Sequence, residues 1–289
     1  MISVVIISKD EPDLDATLAD VTSEVESLAE HGEIIVIDAS SQRLDVIRKR
    51  HEASVRWIDF HQPPGVRITI PHQRNFGVRE AKGDVIVFID AGCHPTAKWL
   101  LHLLEPLRGG ENVVTGISED LGGKNRYELT SQELKTEYLR ECATLNMAFR
   151  REVFDAVGGF DESFAYGSDV DFSWRVNDAG YRIRRNPEAV VQLDWGTSRR
   201  QRRRAYAYGK ARARLYLKHK DRRRFMLRDD PVVVVYPLFL VGLPLALVFP
   251  PYLLLLLIPA WRNRSIGARH VLVDHLWFGA GALAELVGR

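Results

Sequence analysis

Carboxylates recur in this sequence where apolar runs give way to loops. Asp38 closes the run at 33–37, Asp90 closes the run at 85–89, and Asp169 and Asp171 open a helical stretch after Gly167. In an open α/β sheet, ligands bind beyond the carboxyl ends of the strands, which places Asp90 at the edge where a substrate sits. Several carboxylates converging on one edge repel unless a divalent metal or an arginine lies between them. Mg2+ or Mn2+ on a nucleotide diphosphate meets that need, and Arg74, near the start of a helical stretch, can reach phosphate or base. Asp169 can serve as a general base if an acceptor hydroxyl comes within hydrogen-bond reach. Plainer roles exist beside these. Asp90 can cap a helix starting near Thr96, and one of Asp169 and Asp171 can be an N-cap or first-turn charge worth about 0.5–2 kcal/mol.

The elements that must position these groups alternate between two periods. Residues 2–8 read as a first strand, followed by Lys9-Asp10-Glu11-Pro12. Leu14, Leu18, Val21, Val25 and Leu28 recur at helical spacing and predict a helix over 13–29. A strand over 33–37 leads to Ser40 or Ser41 as cap of a helix reaching His51, then a strand over 55–60 and a helix over 72–81. The mostly β-branched run at 85–89 reads as a strand buried on both faces. A helix over 96–107 and a strand over 112–118 follow. The polar stretch 119–145, with a helical patch around 132–140, reads as a variable substrate loop. Beyond it come a strand over 146–150, a helical turn over 151–157, and a helix from 167 to 179 with Gly180 as C-cap. Closing strands are expected over 181–184 and 189–193, then a basic helix over 198–219. Strands alternating with helices argue an α/β fold with a mostly parallel central sheet covered on both faces.

At 289 residues the chain has ample core, and its net charge of +2 implies no partner by itself. The distribution is more telling: residues 197–228 hold fourteen Lys and Arg against one acidic residue, Asp221. Two cysteines, Cys93 and Cys142, make neither a disulfide framework nor a zinc signature, and no signal peptide is evident. From 232 to 260 there are 29 residues without a charge, more than the roughly 20 that span a hydrocarbon core. Pro237, Pro244, Pro250, Pro251 and Pro259 argue against a straight helix there, and arginines lie on both sides. A re-entrant hairpin, one kinked span or a soluble apolar dimerisation arm are the readings, with 271–287 as an interfacial or bundle-packed helix. Neither GxGxxG nor GxxxxGK[ST] follows a strand, so a bound nucleotide would be held by side chains and strand-end backbone.

Six segments now stand in an order that resembles the inverting family 2 glycosyltransferases of GT-A fold, over residues 2–215. They are Val4-Val5-Ile6-Ile7-Ser8-Lys9-Asp10-Glu11, Glu33 to Ser41, Arg74-Asn75-Phe76-Gly77 to Asp84 and the strand to Asp90, Asn146 to Arg150, Gly158-Gly159-Phe160-Asp161-Glu162, and Gly167-Ser168-Asp169-Val170-Asp171 to Arg175. Asp194-Trp195, the arginine-rich helix with Tyr208-Gly209, and the apolar tail resemble membrane-associated bacterial members. The resemblance implies a nucleoside-diphosphate sugar at the sheet edge, with Glu11 and Asp38 on ribose and base, Arg74 near base or phosphate, and Asp90 on the diphosphate through Mg2+ or Mn2+. Asp169 matches the base that deprotonates an acceptor hydroxyl, with inversion at the anomeric carbon. Asp171, Arg175 and Trp195 fall in acceptor or supporting positions.

Three departures stand out. The Asp-x-Asp motif appears as Asp90-Ala91-Gly92, the residue before the base is Ser168, and Val190 to Asp194 lacks the late histidine. His94 or Asp194 are the candidates for a further metal ligand.

Taken together, these features divide the chain into a catalytic domain over 1–196, a basic amphipathic helical region at a membrane surface over 197–229, and a membrane-associated tail over 230–289. The basic helix is expected to meet anionic lipid headgroups, at roughly 1 kcal/mol per residue, and not nucleic acid. The function so implied is transfer of a sugar to a polyprenyl-linked or cell-envelope glycan acceptor at the cytoplasmic face of the cell membrane. The alternatives are another enzyme handling diphospho-sugars, and a catalytically weakened or inactive membrane-attached binding or scaffold protein, favoured by Gly92 and Ser168.

Overall fold

Four parallel strands build the first half of a sheet in a computed structural model that describes residues 1–61, 65, 70–121, 136–194, 196–258 and 268–288. β1 (Ile2–Ser8) pairs with β2 (Gly32–Asp38) and with β4 (Val85–Ile89), and β3 (Val55–Asp59) adds to β2. The first three strands are linked through α1 (Leu14–Glu26) and α2 (Asp45–Arg50), and α3 (Ile70–Glu80) precedes β4. β4 leads to a short β5 (Cys93–Pro95), α4 (Trp99–Arg108) and β6 (Val113–Asp120). Next come β7 (Tyr138–Leu139), β8 (Asn146–Arg150), α5 (Arg151–Val157), α6 (Ser168–Asp178) and β9 (Ile183–Leu193). The strand order is β3-β2-β1-β4-β8-β6-β9-β5, with β7 on β9.

The sheet is mixed, which corrects the expectation of a mostly parallel one. β8 runs antiparallel to both β4 and β6, and β5 and β7 run antiparallel to β9. The end of β6 and the start of β8 lie at the same edge, so these strands pair without the crossover that a parallel neighbour requires. Strand periodicity reports burial and not direction. The closing strands expected over 181–184 and 189–193 are one strand, β9, whose partner β6 changes register between Thr115 and Ile117. The described end of the helical patch at 132–140 is strand, since Tyr138 and Leu139 pair with Arg184 and Ile183.

Alternation sorts the core into two layers. Val4, Ile6, Val36 and Val87 pack with Leu14 and Leu18 of α1 and Trp99 and Leu103 of α4. Val5, Ile35, Ile37 and Phe88 pack on the other face with Val78 of α3 and Phe172 of α6. There Phe160 stacks on Phe172 at 4.4 Å between centroids. Burying an aromatic pair of this kind adds about 0.5–1.5 kcal/mol beyond its area.

Residues 1–194 form one unit and 195–289 a second. In the second, α7 (Ser198–Lys218) packs against the helix Ala268–Val287. The backbones approach so closely that a Cβ on Gly209 would collide with the Phe278 carbonyl, and one on Gly281 with the Tyr206 carbonyl. Buried Glu285 accepts from Arg214 at 2.9 Å, and Arg212 lies 3.3 Å from Asp230. Part of the basic helix therefore spends its charge within its own unit.

Among the described residues no helix is long and apolar enough to cross a membrane. The run at 232–260 is broken into a helix Val232–Val241, then 3-10 turns Leu243–Leu247 and Pro250–Leu256. Ten helical residues rise about 15 Å against a hydrocarbon core of about 30 Å. Pro244, Pro250 and Pro251 lack the N–H that would continue the helix. The transmembrane reading of the tail, and the cell-membrane location with a cytoplasmic catalytic face that followed from it, do not hold. The prolines argue against a straight helix in the sequence, and in the structure they break the run outright.

Candidate active site

The carboxyl ends of β1, β2, β4, β6 and β9 share one edge of the sheet, and α3 delivers three consecutive polar side chains to it. Gln73 Nε2 donates to the carbonyls of Ser8 and Ile37, each at 3.1 Å, fixing α3 against the ends of β1 and β2. Arg74 is 5% exposed, and its Nη2 lies 3.2 Å from Asp90 Oδ1. Its guanidinium also stands 5.8 Å from the centre of the Phe160 ring. Asn75 donates to the Phe160 carbonyl at 2.8 Å and to Glu162 Oε1 at 2.9 Å, and accepts the Phe160 N–H at 2.8 Å. That clamp fixes the turn leading to α6.

Asp169 sits in the first turn of α6, half-buried, with Oδ1 accepting the Val170 N–H at 2.9 Å. Burial pushes its carboxyl above the ordinary value. The Arg74 charge and the backbone hydrogen bonds pull it back, and the Asp90 charge adds to the rise. Arg74 is thus coupled to both carboxylates. Asp171 is fully buried and receives Arg175 through Nε at 2.9 Å and Nη2 at 2.8 Å. Arg175 Nη1 also donates to the Val157 carbonyl at 2.5 Å, so this pair braces the helix below the base.

The remaining sequence-derived residues separate. Asp38 is buried at the end of β2, where Ser40 donates to Oδ1 through its N–H at 2.9 Å and through its hydroxyl. β1 lies between β2 and β4, which puts Asp38 about 10 Å along the edge from Asp90. Alternation places it on the α1 face, with Val36, whereas Asp90 follows Phe88 on the α3 face. Glu11 lies against the Asp90-Ala91-Gly92 turn. His94 is turned to α1, with Nε2 2.9 Å from Asp13 and Nδ1 3.1 Å from Asp20. Asp194 is exposed one residue past Leu193, the partner of Cys93. Trp195 lies outside the described residues. Asp90 does not cap the following helix, which starts at Trp99 after Lys98. Burial pushes the Cys93 and Cys142 thiols up to about 12, which removes them as nucleophiles.

Gln73 and Asn75 carry no chemistry of their own, and sequence reading passed over their positioning. Their signal was a polar run, His72 to Asn75, at the start of a helix that packs on a sheet.

Among the described residues no three His, Cys, Asp or Glu side chains gather as a metal cage. Asp90 keeps 40% of its side chain exposed beside Arg74. One or two carboxylates suffice for Mg2+ when phosphate oxygens and waters complete the shell. The donor set therefore fits a cation that arrives on a diphosphate.

The sequence description of glycosyl transferase family 2 matches residues 3–161, more than half of the chain. The chain belongs to glycosyl transferase family 2. The description of glycosyl transferase family group 2 matches residues 138–266 as well. Among family 2 relatives, the chain is 30% identical over 191 residues to the pre-mycofactocin glycosyltransferase of Mycobacterium tuberculosis, covering 58% of this chain and 39% of that protein. It is 28% identical over 126 residues to the glycosyltransferase AglE of Haloferax volcanii, covering 38% of this chain and 39% of that one. The chain thus spans about two fifths of these relatives. Its fold matches that of a mannosyltransferase from Pyrobaculum calidifontis, solved in complex with GDP-Man and Mn2+. The TM-score is 0.71 at 18% identity, covering 100% of this chain and 87% of that one. This likeness shows the GT-A-type fold.

Proposed function

We propose that this family 2 chain is an inverting glycosyltransferase that moves a sugar from a nucleoside-diphosphate donor to a hydroxyl of a glycan acceptor. The observation that carries the reading is buried Arg74, 3.2 Å from Asp90 at the end of β4, with its charge also acting on Asp169 at the start of α6. Asp169 is the base. A carboxylate raised by burial is a stronger proton acceptor than a solvated one, and the Arg74 charge opposes part of that rise. It takes the proton of the acceptor hydroxyl as that oxygen attacks the anomeric carbon opposite the leaving diphosphate.

Asp90 faces the diphosphate, Arg74 neutralises charge on the phosphate side, and Asp38 and Glu11 lie toward ribose and base. A bound Mg2+ or Mn2+ would stabilise the negative charge that grows on the leaving group. Asp90 would hold it, and the complex of the Pyrobaculum mannosyltransferase with GDP-Man and Mn2+ supports both a nucleotide sugar and a divalent cation here. His94 contributes to the scaffold through Asp13 and Asp20, which leaves Asp194 as the other candidate for an outer ligand. Asp171 and Arg175 support the base. Trp195 is assigned to the acceptor. A lipid-linked or cell-envelope acceptor, and anionic lipid headgroups on the arginines of α7, are the finer partner readings, and they rest on the fourteen basic residues at 197–228.

A panel of nucleotide sugars incubated with wild type and Asp169→Asn tests the reading. Donor turnover by wild type, abolished in the variant with nucleotide binding retained, is the expected outcome. Turnover unchanged in Asp169→Asn removes the base. Gly92, which empties half of the Asp-x-Asp motif, favours a second reading as an inactive binding protein, and donor turnover by wild type excludes it.

A further inference from the structure

The Asp90-Ala91-Gly92 turn lacks the second carboxylate of its motif, but the space that carboxylate would occupy is not empty of charge. Gly92 has φ of +84°, and its N–H donates to Thr17 Oγ1 at 3.0 Å, so the turn is pinned to α1. The three atoms nearest a Cβ built on Gly92 all belong to Glu11, with Cδ at 3.6 Å, Cγ at 3.7 Å and Oε2 at 3.9 Å. These are ordinary van der Waals separations. The carboxyl group of Glu11 therefore stands beside the vacant position 92, coming from the loop after β1 instead of from the turn itself.

We propose that Glu11 supplies in space the carboxylate that the turn lacks in sequence, and that Glu11 and Asp90 together hold the divalent cation of the donor diphosphate. This rests on the reading of the chain as a nucleotide-sugar transferase, and it moves Glu11 from the nucleoside to the metal. Two features support it. Glu11 Oε1 has one long contact, the Asp13 N–H at 3.3 Å, so this carboxylate is lightly held. The other nearby candidate, His94, has both ring nitrogens on aspartates of α1. Two carboxylates, two phosphate oxygens and water make a complete octahedral shell for Mg2+ or Mn2+. The arrangement also explains how Gly92 is tolerated. An aspartate there would bring a like charge within contact of Glu11.

The proposal makes a swap the decisive experiment. Mn2+ binding is read by the loss of the free-ion EPR signal, with GDP or UDP present at saturation, for wild type, Glu11→Gln, Gly92→Asp and the double variant. Glu11→Gln is expected to weaken Mn2+ on the order of tenfold or more. Adding Gly92→Asp to it is expected to restore most of that loss, because the carboxylate returns to the same space from the other segment, while thermal unfolding stays within the range of the single variants. Nucleotide binding is measured in parallel without metal. If Glu11→Gln leaves Mn2+ affinity intact and weakens metal-free nucleotide binding, Glu11 is a nucleoside contact and the proposal is overturned. It is equally overturned if the double variant binds Mn2+ no better than Glu11→Gln. If wild type binds neither GDP nor UDP nor any other nucleoside diphosphate, the donor reading fails, a result distinct from either.

Discussion

Arg74 and Asp169 come from helices far apart in the chain, and the electrostatics of the site depend on their meeting. Arg74 is buried on α3 with one nitrogen 3.2 Å from Asp90, and its charge holds down the carboxyl of Asp169, which burial drives up. A buried guanidinium favours the ionised form of a nearby carboxylate that burial disfavours.

Replacing Arg74 with Ala is therefore expected to move the acid limb of the kcat profile to higher pH, because the influence that lowers the Asp169 pKa is gone while burial remains. Turnover at pH 7 should fall by about 10²-fold, the scale of losing a charged donor from a preorganised site. Arg74→Lys keeps the charge without the planar fork and should lie between the two. A pH–rate profile of the three proteins checks this, and an unmoved acid limb in Arg74→Ala counts against the coupling.

Asp169→Asn should abolish transfer yet stabilise the fold at neutral pH. The sign follows from the raised pKa. A carboxyl raised on folding favours the native state below its unfolded value of about 3.8 and opposes it once the native group is forced to ionise. The gain in Tm of the variant should be present at pH 7 and vanish toward pH 3. Thermal unfolding at the two pH values decides it.

His94 works in the opposite pH range. Burial disfavours its charged form, but the hydrogen bonds it donates to Asp13 and Asp20, with their charges, outweigh that and raise its pKa. A histidine raised on folding contributes stability in full below about pH 6.5 and loses it as pH rises through the native value. His94→Gln should be less stable than wild type at pH 5.5, with the gap narrowing at pH 9, as read by urea midpoints.

Asn75 has no proposed contact with substrate, but its three hydrogen bonds to Phe160 and Glu162 hold the turn before α6. Asn75→Ala leaves the buried N–H and carbonyl of Phe160 without that partner. The expected cost is about 1–3 kcal/mol per stranded group. Urea unfolding measures it, and Asn75→Asp, which keeps the acceptor but sets a carboxylate against Glu162 and the Phe160 carbonyl, should cost at least as much as the alanine.

Much of the site could be read before any fold was known, and the reason is local. A run such as Val85–Ile89 is a buried strand whatever surrounds it, and the carboxylate that ends it must lie at an edge. Asp90, Asp169 and Arg74 were legible for that reason, as were the strands and helices that carry them. The direction of β8 and the unity of β9 were not, because period-2 burial looks the same in parallel and antiparallel pairing and because the exposed residues in the middle of β9 imitate a loop. The tail was misread because the prolines read as kinks within one apolar run, and only the structure shows Val232–Leu256 cut into three short pieces.

The sequence by itself determined which residues end the strands, which family's order of motifs they follow, and that position 92 carries no carboxylate. Only the tertiary structure decided that Arg74 pairs with Asp90 while its charge acts on Asp169, that His94 belongs to Asp13 and Asp20, and that Glu11 stands at the side of Gly92. Local pattern fixes what each segment is. Partnership between charged groups falls off over a few ångströms, and those distances exist only once the segments have packed.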